Sequence, residues 1–279
     1  MLNLILGGAA IYGAYVGALY LLQDRLVFRR DLATVPNYPL PGGTERLELR
    51  TPDGETIVGN LVRARRQSRG LVIGFSGNAW NGDDCTTFIA HRLTDVDTVV
   101  FHYRGYTPST GTPGEAALCA DALLIYDTMV KGMQPERVYA FGFSLGSGIA
   151  AYLAANRPLA GQLLVTPFDS IEAIARNRYW GVPVRYLIKN PFRSIDHLNG
   201  KPVPTAVILA SEDRIVPHER SECLIRSLID PVLVETVPDS THVSIYDMVA
   251  IDHLLHRSFD ALEARALANA APAAAMAAD

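Results

Sequence analysis

A serine between two glycines stands where an apolar stretch gives way to an alanine-rich one. Residues 142–146 read Gly-Phe-Ser-Leu-Gly; residues 137–141 predict a strand before them, and residues 145–155 predict a helix after them. Such a turn holds the serine hydroxyl out at the end of the strand, and the helix N-terminus beneath it favours negative charge. Ser144 is therefore the predicted nucleophile, although five residues alone also fit an ordinary turn into a helix.

A serine nucleophile needs a histidine base and a carboxylate that orients the histidine. Behind a G-x-S-x-G turn these two follow along the chain, the acid first and the histidine last. Asp213 comes just after the apolar strand predicted at 205–210, and His242 follows the strand predicted at 232–237. Because the carboxyl ends of parallel strands share one edge of a sheet, we predict that Ser144, Asp213 and His242 form a catalytic triad.

Other side chains compete for the roles of acid and base. Three further carboxylates follow predicted strands or share the histidine loop: Asp169, Glu212 and Asp239. His218 is the main competing base, but it follows Asp213 closely and precedes the last predicted strand. His91 and His256 are interpreted as surface or packing residues, and His197 as a loop residue. His102 is interpreted as a structural residue that is also a candidate for the pocket.

Two backbone N–H groups must converge on the oxyanion that forms when the serine attacks. One is expected from Leu145, because it follows the nucleophile. The other is expected from the loop 76–82, which follows the apolar strand 71–75 and contains small residues that let the backbone approach a substrate closely. Asn78 or Ala79 is the predicted second donor.

Together these groups predict hydrolysis of a carboxylic ester or thioester. His242 would take the proton of Ser144 during attack, Asp213 would hold the imidazole, and water would then hydrolyse the acyl-enzyme. This chemistry requires no cofactor. Two other function classes stay open: a membrane-tethered scaffold with a hydrolase fold and little or no activity, and a serine peptidase.

Composition argues against other classes of protein. The chain of 279 residues has a net charge of −4 and no basic stripe of the kind that binds nucleic acid. Its three cysteines, Cys85, Cys119 and Cys223, are isolated and odd in number, so they predict neither a disulfide framework nor a metal site. No H-E-x-x-H motif occurs, and we predict no metal.

The N-terminal stretch is long and apolar enough to cross a membrane. Leu2–Leu22 carries no charge, and about 20 helical residues cross a hydrocarbon core of about 30 Å. No Lys or Arg precedes it, as one would in a signal peptide. Arg25, Arg29 and Arg30 follow it directly, so the positive-inside rule predicts a single-pass protein with a cytoplasmic catalytic domain. Small residues at every fourth position would allow a weak homodimer through this helix: Ala9, Gly13 and Gly17.

Alternating strand and helix patterns predict an α/β protein with a mostly parallel sheet covered by helices on both faces. The predicted strands are 71–75, 97–102, 137–141, 161–165, 205–210 and 232–237, preceded by a hairpin of 45–50 and 56–63. This gives an anchor helix at 1–24, a catalytic domain at 25–263 and an alanine-rich tail, expected to be frayed, at 264–279.

Between two of the predicted strands lies a short segment, 168–201, which we call the lid segment. Its aromatic side chains predict an apolar acyl-binding wall formed by Tyr179, Trp180 and Phe192, with Trp80 contributed by the oxyanion loop. The same pattern also fits the packing of a helix pair on the core, and the sequence does not separate the two interpretations.

From about Leu19 to Ala261 the chain resembles the α/β-hydrolase superfamily, and within it the single-pass, membrane-anchored abhydrolase-domain serine hydrolases. That group includes bacterial proteins of unknown substrate and eukaryotic protein depalmitoylases. The motifs that carry the resemblance are Gln23–Phe28, Gly77-Asn78-Ala79, Tyr103–Tyr106 with Ser109, Gly111, Pro113 and Glu115, Gly142–Gly146, Pro167–Ser170 and Glu212–Pro217. The resemblance implies the α/β-hydrolase fold, the triad Ser144, Asp213 and His242, and an acyl-type substrate.

The chain departs from the family pattern at two places. Ser76-Gly77-Asn78 stands where the family usually has His-Gly-Asn, which changes the side chain that would brace the oxyanion loop. Ala210-Ser211 stands where His-Gly is common before the acid. Neither departure removes a residue of the triad.

Overall fold

A central sheet organises the catalytic part of the chain. The computed structural model describes residues 1–276, and within them eight strands form one sheet. The strands are β1 (Glu45–Arg50), β2 (Thr56–Val62), β3 (Leu71–Phe75), β4 (Asp97–Phe101), β5 (Val138–Phe143), β6 (Gly161–Val165), β7 (Thr205–Ala210) and β8 (Pro231–Val237). Their order across the sheet is β1-β2-β4-β3-β5-β6-β7-β8. The β1–β2 and β2–β4 pairs are antiparallel and all the others are parallel, which confirms the predicted sheet.

Helices cover both faces of this sheet. They are α1 (Leu2–Val27), α2 (Gly82–Arg92), α3 (Glu115–Met133), α4 (Leu145–Asn156), α5 (Ile171–Arg178), α6 (Val184–Leu187), α7 (Ser194–Leu198), α8 (His218–Ser227) and α9 (Val249–Met276). Helices α2 and α9 contribute to the core on one face, and α3, α4, α7 and α8 contribute to the core on the other. The architecture is the α/β-hydrolase fold.

Strand β5 shows how the sequence builds the two cores. Its side chains alternate between the faces of the sheet, as the period of two in a strand requires. Tyr139, Phe141 and Phe143 are fully buried in the core beside α2 and α9, while Val138 and Ala140 face the other core. Large rings thus fill one side, and the smaller side chains face the helices on the other side.

The lid segment contains three short helices, α5, α6 and α7, between β6 and β7. Near the C-terminus, a 3₁₀ turn at Ser244–Asp247 precedes α9. Helix α9 runs to Met276, beyond the predicted start of the tail at residue 264. The tail's last residues, 277–279, lie outside the residues that the structure describes.

Helix α1 contacts the rest of the fold along one side only. Leu2–Val27 has no buried residue, and it is the one helix within residues 1–276 long and apolar enough to cross a membrane. Its half-buried residues are Val16, Gly17, Leu19, Gln23, Asp24 and Val27. Because they recur every three or four positions, one stripe of the helix contacts the protein while the other faces are bare.

Candidate active site

Ser144 lies on the sharp turn between β5 and α4. Its backbone has φ 50° and ψ −116°, a conformation rare for a residue with a side chain, and its N–H donates to the Val165 carbonyl at 2.9 Å. The flanking glycines are required by close approach. A Cβ at Gly142 would lie 2.6 Å from the Gly146 carbonyl oxygen, and a Cβ at Gly146 would lie 2.0 Å from that of Phe75.

The structure brings the three predicted triad residues into one hydrogen-bonded chain. His242 Nε2 lies 2.7 Å from Ser144 Oγ, and His242 Nδ1 lies 2.7 Å from Asp213 Oδ2. Only 9% of the His242 side chain and 6% of the Asp213 side chain are exposed. The other carboxylate oxygen, Oδ1, accepts the backbone N–H groups of Ile215 at 2.9 Å and Val216 at 2.8 Å. Asp213 is thereby held with one oxygen directed at the imidazole.

The competing carboxylates lie elsewhere. Asp169 accepts a hydrogen bond from Arg220 at 3.0 Å and another from the backbone N–H of Ser170. Burial raises the pKa of Asp169, but this carboxylate makes no hydrogen bond to a histidine within the residues described. Glu212 and Asp239 are exposed.

The competing histidines are also occupied away from Ser144. His218 Nε2 lies 3.0 Å from the Ser211 carbonyl oxygen, on the exposed side of the acid loop. His102 is buried and lies 2.8 Å from Asp83, at the start of α2. His91, interpreted from sequence as a surface or packing residue, is exposed and lines the cavity beside Ser144.

The predicted oxyanion loop lies beside the serine. A Cβ built on Gly77 would be 3.7 Å from the Ser144 Cβ. Within the residues described, the N–H groups of Asn78 and Ala79 donate to no backbone acceptor. Leu145 is the first residue of α4, so its N–H has no partner within the helix. All three predicted donors therefore border the nucleophile with their N–H groups unused by the backbone.

Two tyrosines brace this loop. Tyr103 Oη donates to the Ser76 carbonyl at 2.6 Å, and Tyr106 Oη donates to the Asn78 carbonyl at 2.8 Å. Their rings pack edge to face, with centroids 5.7 Å apart. Sequence reasoning used the Tyr103–Tyr106 motif only as a mark of the family, and its two tyrosines were the available signal for this role.

A cavity of about 560 Å³ opens at Ser144 and His242. Trp80 forms part of its wall, with its ring centroid 5.2 Å from that of Phe88 and 5.1 Å from that of Tyr246. Tyr246 Oη lies 3.1 Å from the Thr166 hydroxyl, and burial raises the pKa of this phenol. An aromatic wall beside the nucleophile suits the apolar part of a substrate.

The segment after α1 closes another side of the same cavity, and the sequence did not predict this. Asn37 and Tyr38 line the cavity, and their backbone N–H groups donate to the buried Asp84 carboxylate at 2.8 and 3.0 Å. Farther along, Asn81 Nδ2 donates to the Ala33 carbonyl at 3.0 Å. Helix α2 thus fixes this segment over the site, through contacts between residues far apart in sequence.

The predicted acyl-binding wall needs correction. Trp80 lines the cavity at Ser144, but Tyr179, Trp180 and Phe192 do not. Phe192 is only 1% exposed because it packs in the core, its ring 6.3 Å from that of Phe28. Trp180 is 89% exposed on the lid segment, and Tyr179 lines a second cavity against α1.

Relatives in sequence cover most of the chain. An uncharacterized protein of Mycobacterium tuberculosis H37Rv is 30% identical over 228 residues, which are 79% of this chain and 80% of that protein. The lysophosphatidylserine lipase ABHD12 of Bos taurus is 30% identical over 196 residues, 67% of this chain and 47% of the lipase. The chain thus spans about half the length of that lipase. No protein-family model matches the chain.

Solved structures share the fold at low sequence identity. The α/β hydrolase GrgF of Penicillium superposes with a TM-score of 0.65 at 16% identity, over 82% of this chain and all of the other. An α/β hydrolase of Vibrio vulnificus superposes with a TM-score of 0.65 at 19% identity, over 88% and 92%. With this fold and these relatives in sequence, the chain belongs to the abhydrolase-domain family of α/β hydrolases.

Proposed function

We propose that the protein is a serine hydrolase that cleaves carboxylic ester or thioester bonds in acyl- or lipid-type substrates at a membrane. The observation that carries the proposal is the hydrogen-bonded chain from Ser144 through His242 to Asp213, with both contacts at 2.7 Å. Nucleophile, base and orienting acid are the three parts that acyl transfer through a serine requires.

In the first half-reaction, His242 Nε2 takes the proton of Ser144 Oγ while Oγ attacks the substrate carbonyl carbon. Asp213 holds the imidazole with Nδ1–H directed at its own carboxylate and stabilises the imidazolium that forms. The carbonyl oxygen becomes negative and accepts hydrogen bonds from the N–H of Leu145 and that of Asn78 or Ala79. The N-terminus of α4 adds a favourable field at the same point.

Collapse of this intermediate expels the leaving alcohol or thiol, which takes the proton from His242, and leaves the acyl group on Ser144. Water then enters, His242 removes its proton, and the hydroxide attacks the acyl carbonyl. The second tetrahedral intermediate collapses to a carboxylic acid while His242 returns the proton to Ser144. The free enzyme is regenerated, and one ester or thioester bond has been hydrolysed with the consumption of one water molecule.

An acyl or lipid substrate is favoured by three features. The wall of the cavity at Ser144 is aromatic, and α1 is a candidate membrane span. The ABHD12 relatives are named as lipases of lysophosphatidylserine, an ester lipid.

Three arginines follow the uncharged stretch, Arg25, Arg29 and Arg30. They favour a cytoplasmic position for the catalytic domain.

Hydrolysis of p-nitrophenyl esters from acetate to palmitate, in detergent micelles, tests the proposal. Ser144→Ala should abolish hydrolysis and also covalent labelling by a fluorophosphonate, while the melting temperature stays unchanged. Ser227→Ala, which alters a serine at the end of α8, is the matched control and should keep full activity. Absence of labelling in the folded wild type would support the inactive scaffold, and labelling that persists in Ser144→Ala would refute the assignment of the nucleophile.

A further inference from the structure

A second cavity, of about 440 Å³, lies between helix α1 and the lid segment. Its size falls within the range of roughly 300–1,000 Å³ usual for ligand sites. Apolar side chains from both elements line it, among them Leu19 and Val27 of α1 and Ile174 and Leu187 of the lid segment. The charged residues in its lining are all arginines, Arg29, Arg178 and Arg214.

Polar contacts on one side of this cavity hold its two walls together. Gln23 accepts a hydrogen bond from the Lys189 backbone N–H at 2.7 Å and donates to the Leu187 carbonyl at 3.1 Å. The neighbouring Asp24 accepts from Asn190 Nδ2 at 2.9 Å and pairs with Lys189 Nζ at 3.3 Å. The cavity is therefore held in shape by the fold, since hydrogen bonds and an ion pair join α1 to the lid segment beside it.

Two residues that line the cavity also contact the predicted catalytic groups. Val27 lines the cavity, and its carbonyl accepts a hydrogen bond from Asn78 Nδ2 at 3.2 Å. Ile215 also lines it, and its backbone N–H donates to Asp213 Oδ1 at 2.9 Å. The walls of this cavity thus touch both the oxyanion loop and the acid of the triad.

The cavity lies beside the uncharged stretch of α1, which contributes Val16, Leu19 and Tyr20 to its lining. Tyr12 Oη donates to the Gly181 carbonyl at 2.6 Å, so the tip of the lid segment reaches residue 12 of the helix. From there to Leu22, where the uncharged stretch ends, is about 15 Å at a rise of about 1.5 Å per residue. Trp180 and Tyr186 of the lid segment are 89% and 83% exposed, as suits aromatic residues at a membrane interface.

We propose that this cavity binds the acyl chain of an ester lipid drawn from the bilayer around α1. The acyl chain lies between α1 and the lid segment, the ester carbonyl reaches Ser144, and the leaving alcohol or thiol occupies the cavity beside Trp80, where its apolar part contacts the aromatic wall. This inference rests on the proposed function. It places the acyl chain of the substrate in one cavity and the leaving group in the other.

The positive charges that line the cavity favour an acyl chain that enters from an anionic bilayer surface. Arg29 pairs with Asp31, but within the residues described neither Arg178 nor Arg214 forms a salt bridge, and no Asp or Glu lines the cavity. Unpaired guanidinium groups attract the phosphates of the lipids among which the chain lies. Arginine side chains reach such groups while their methylene stems stay against apolar surface.

Substituting one α1 residue at a time tests the site. Leu19→Trp should fill part of the cavity and lower kcat/KM for p-nitrophenyl palmitate by roughly tenfold, the equivalent of about two buried methylenes, without affecting the acetate ester. Leu21→Trp, a control two residues away on a 74% exposed side chain outside the lining, should leave both substrates unaffected. Ile174→Trp should repeat the selective loss from the opposite wall.

A binding measurement that needs no turnover separates this inference from the proposed function. The Ser144→Ala protein is placed in phosphatidylcholine vesicles, with or without phosphatidylglycerol. A palmitoyl lysophosphatidylglycerol with a diazirine at its terminal carbon is added, and crosslinks are mapped by mass spectrometry. We expect crosslinks within residues 16–27 and 171–188, more of them in the anionic vesicles, and their loss in the Leu19→Trp background.

Crosslinks confined to the cavity lined by Asn37, Tyr38 and Arg92, or equal palmitate hydrolysis by Leu19→Trp and Leu21→Trp, would overturn the acyl-chain site while leaving the hydrolase standing. Crosslinks at 16–27 in a protein whose wild type hydrolyses no ester would support the acyl-chain site and reject the proposed function.

Discussion

At the scale of single residues, the carboxylate of Asp213 has a role that a neutral amide cannot take over. It faces His242 Nδ1 at 2.7 Å, and the amide of Asp213→Asn would favour the wrong imidazole tautomer. We expect kcat for a short ester to fall by about 10⁴-fold with the fold intact. Glu212→Gln, on the exposed neighbouring side chain, is the control and should be fully active. Equal activity of the two variants would contradict Asp213 as the acid.

Tyr106 should affect catalysis through the loop that it braces. Tyr106→Phe removes the hydrogen bond to the Asn78 carbonyl, and small displacements of oriented groups are costly in rate, so we expect kcat to fall by roughly tenfold with KM little changed. Tyr126→Phe removes an equivalent bond, 2.7 Å to the Pro158 carbonyl, far from the site. Each change should destabilise the fold by about 1 kcal/mol. Equal kcat in both variants would show that Tyr106 is only structural.

The residues predicted well from sequence are those whose surroundings are local. Ser144 was recognisable because its strained turn depends on two glycines within two residues of it. The sequence could not place Phe192 and Trp180, because an aromatic residue in a lid segment has the same local pattern in the core, on the surface or in a pocket. Only packing against Phe28, which is more than 160 residues away in sequence, decides the case of Phe192.

At the scale of elements, Asp83 ties the first turn of α2 to the sheet. Burial alone would raise the pKa of this carboxyl, but hydrogen bonds from His102, Asn60 and Arg46 outweigh burial and hold the pKa well below its usual range. A carboxyl whose pKa is lower in the folded state stabilises the fold above the unfolded pKa, near 4, and loses that contribution as the pH falls through the folded value.

Asp83→Asn should therefore lower the melting temperature at pH 7 by about 4–8 °C, which corresponds to about 2 kcal/mol for charge-assisted hydrogen bonds. The difference from the wild type should shrink as the pH falls below about 4, measured by thermal unfolding in detergent from pH 7 to pH 3. Glu136→Gln, an 86% exposed side chain, should match the wild type throughout. A difference that grows towards low pH would contradict this account of Asp83.

The strands were predicted to within two residues, because parallel strands buried on both faces read as continuous apolar runs between polar turns. The hairpin of β1 and β2 was recognisable from its Pro-Asp-Gly turn. The segment 28–44 was not placed, because it has no periodic pattern and takes its position from hydrogen bonds to Asp84 and Asn81.

At the scale of the whole molecule, α1 and the catalytic domain form one unit. The sequence predicted an anchor helix at 1–24 but none of its contacts, since an uncharged stretch of suitable length says nothing about what the helix touches. The structure joins it to the lid segment through Gln23 and Asp24, across more than 160 residues of sequence. For a membrane-inserted α1, the orientation of the chain therefore decides which leaflet the lid segment meets.

The charges beside α1 predict that orientation. Arg25, Arg29 and Arg30 follow the uncharged stretch, and such residues are retained on the cytoplasmic side. In bacterial cells we expect added protease to spare the catalytic domain in spheroplasts and to digest it in inverted membrane vesicles. Replacing the three arginines with glutamine should make part of the protein sensitive in spheroplasts, whereas the control Arg226→Gln, on exposed α8, should not.

This orientation affects which lipids the protein meets as well as where its catalytic domain is located. A cytoplasmic catalytic domain brings the lid segment, with Arg178 and the nearby Arg214, against the leaflet that carries the anionic lipids. Charge and orientation thus support the same substrate source. Wild-type protein digested in spheroplasts would place Arg178 and Arg214 at the opposite leaflet. In that case the anionic cytoplasmic surface would no longer explain the basic lining of the second cavity.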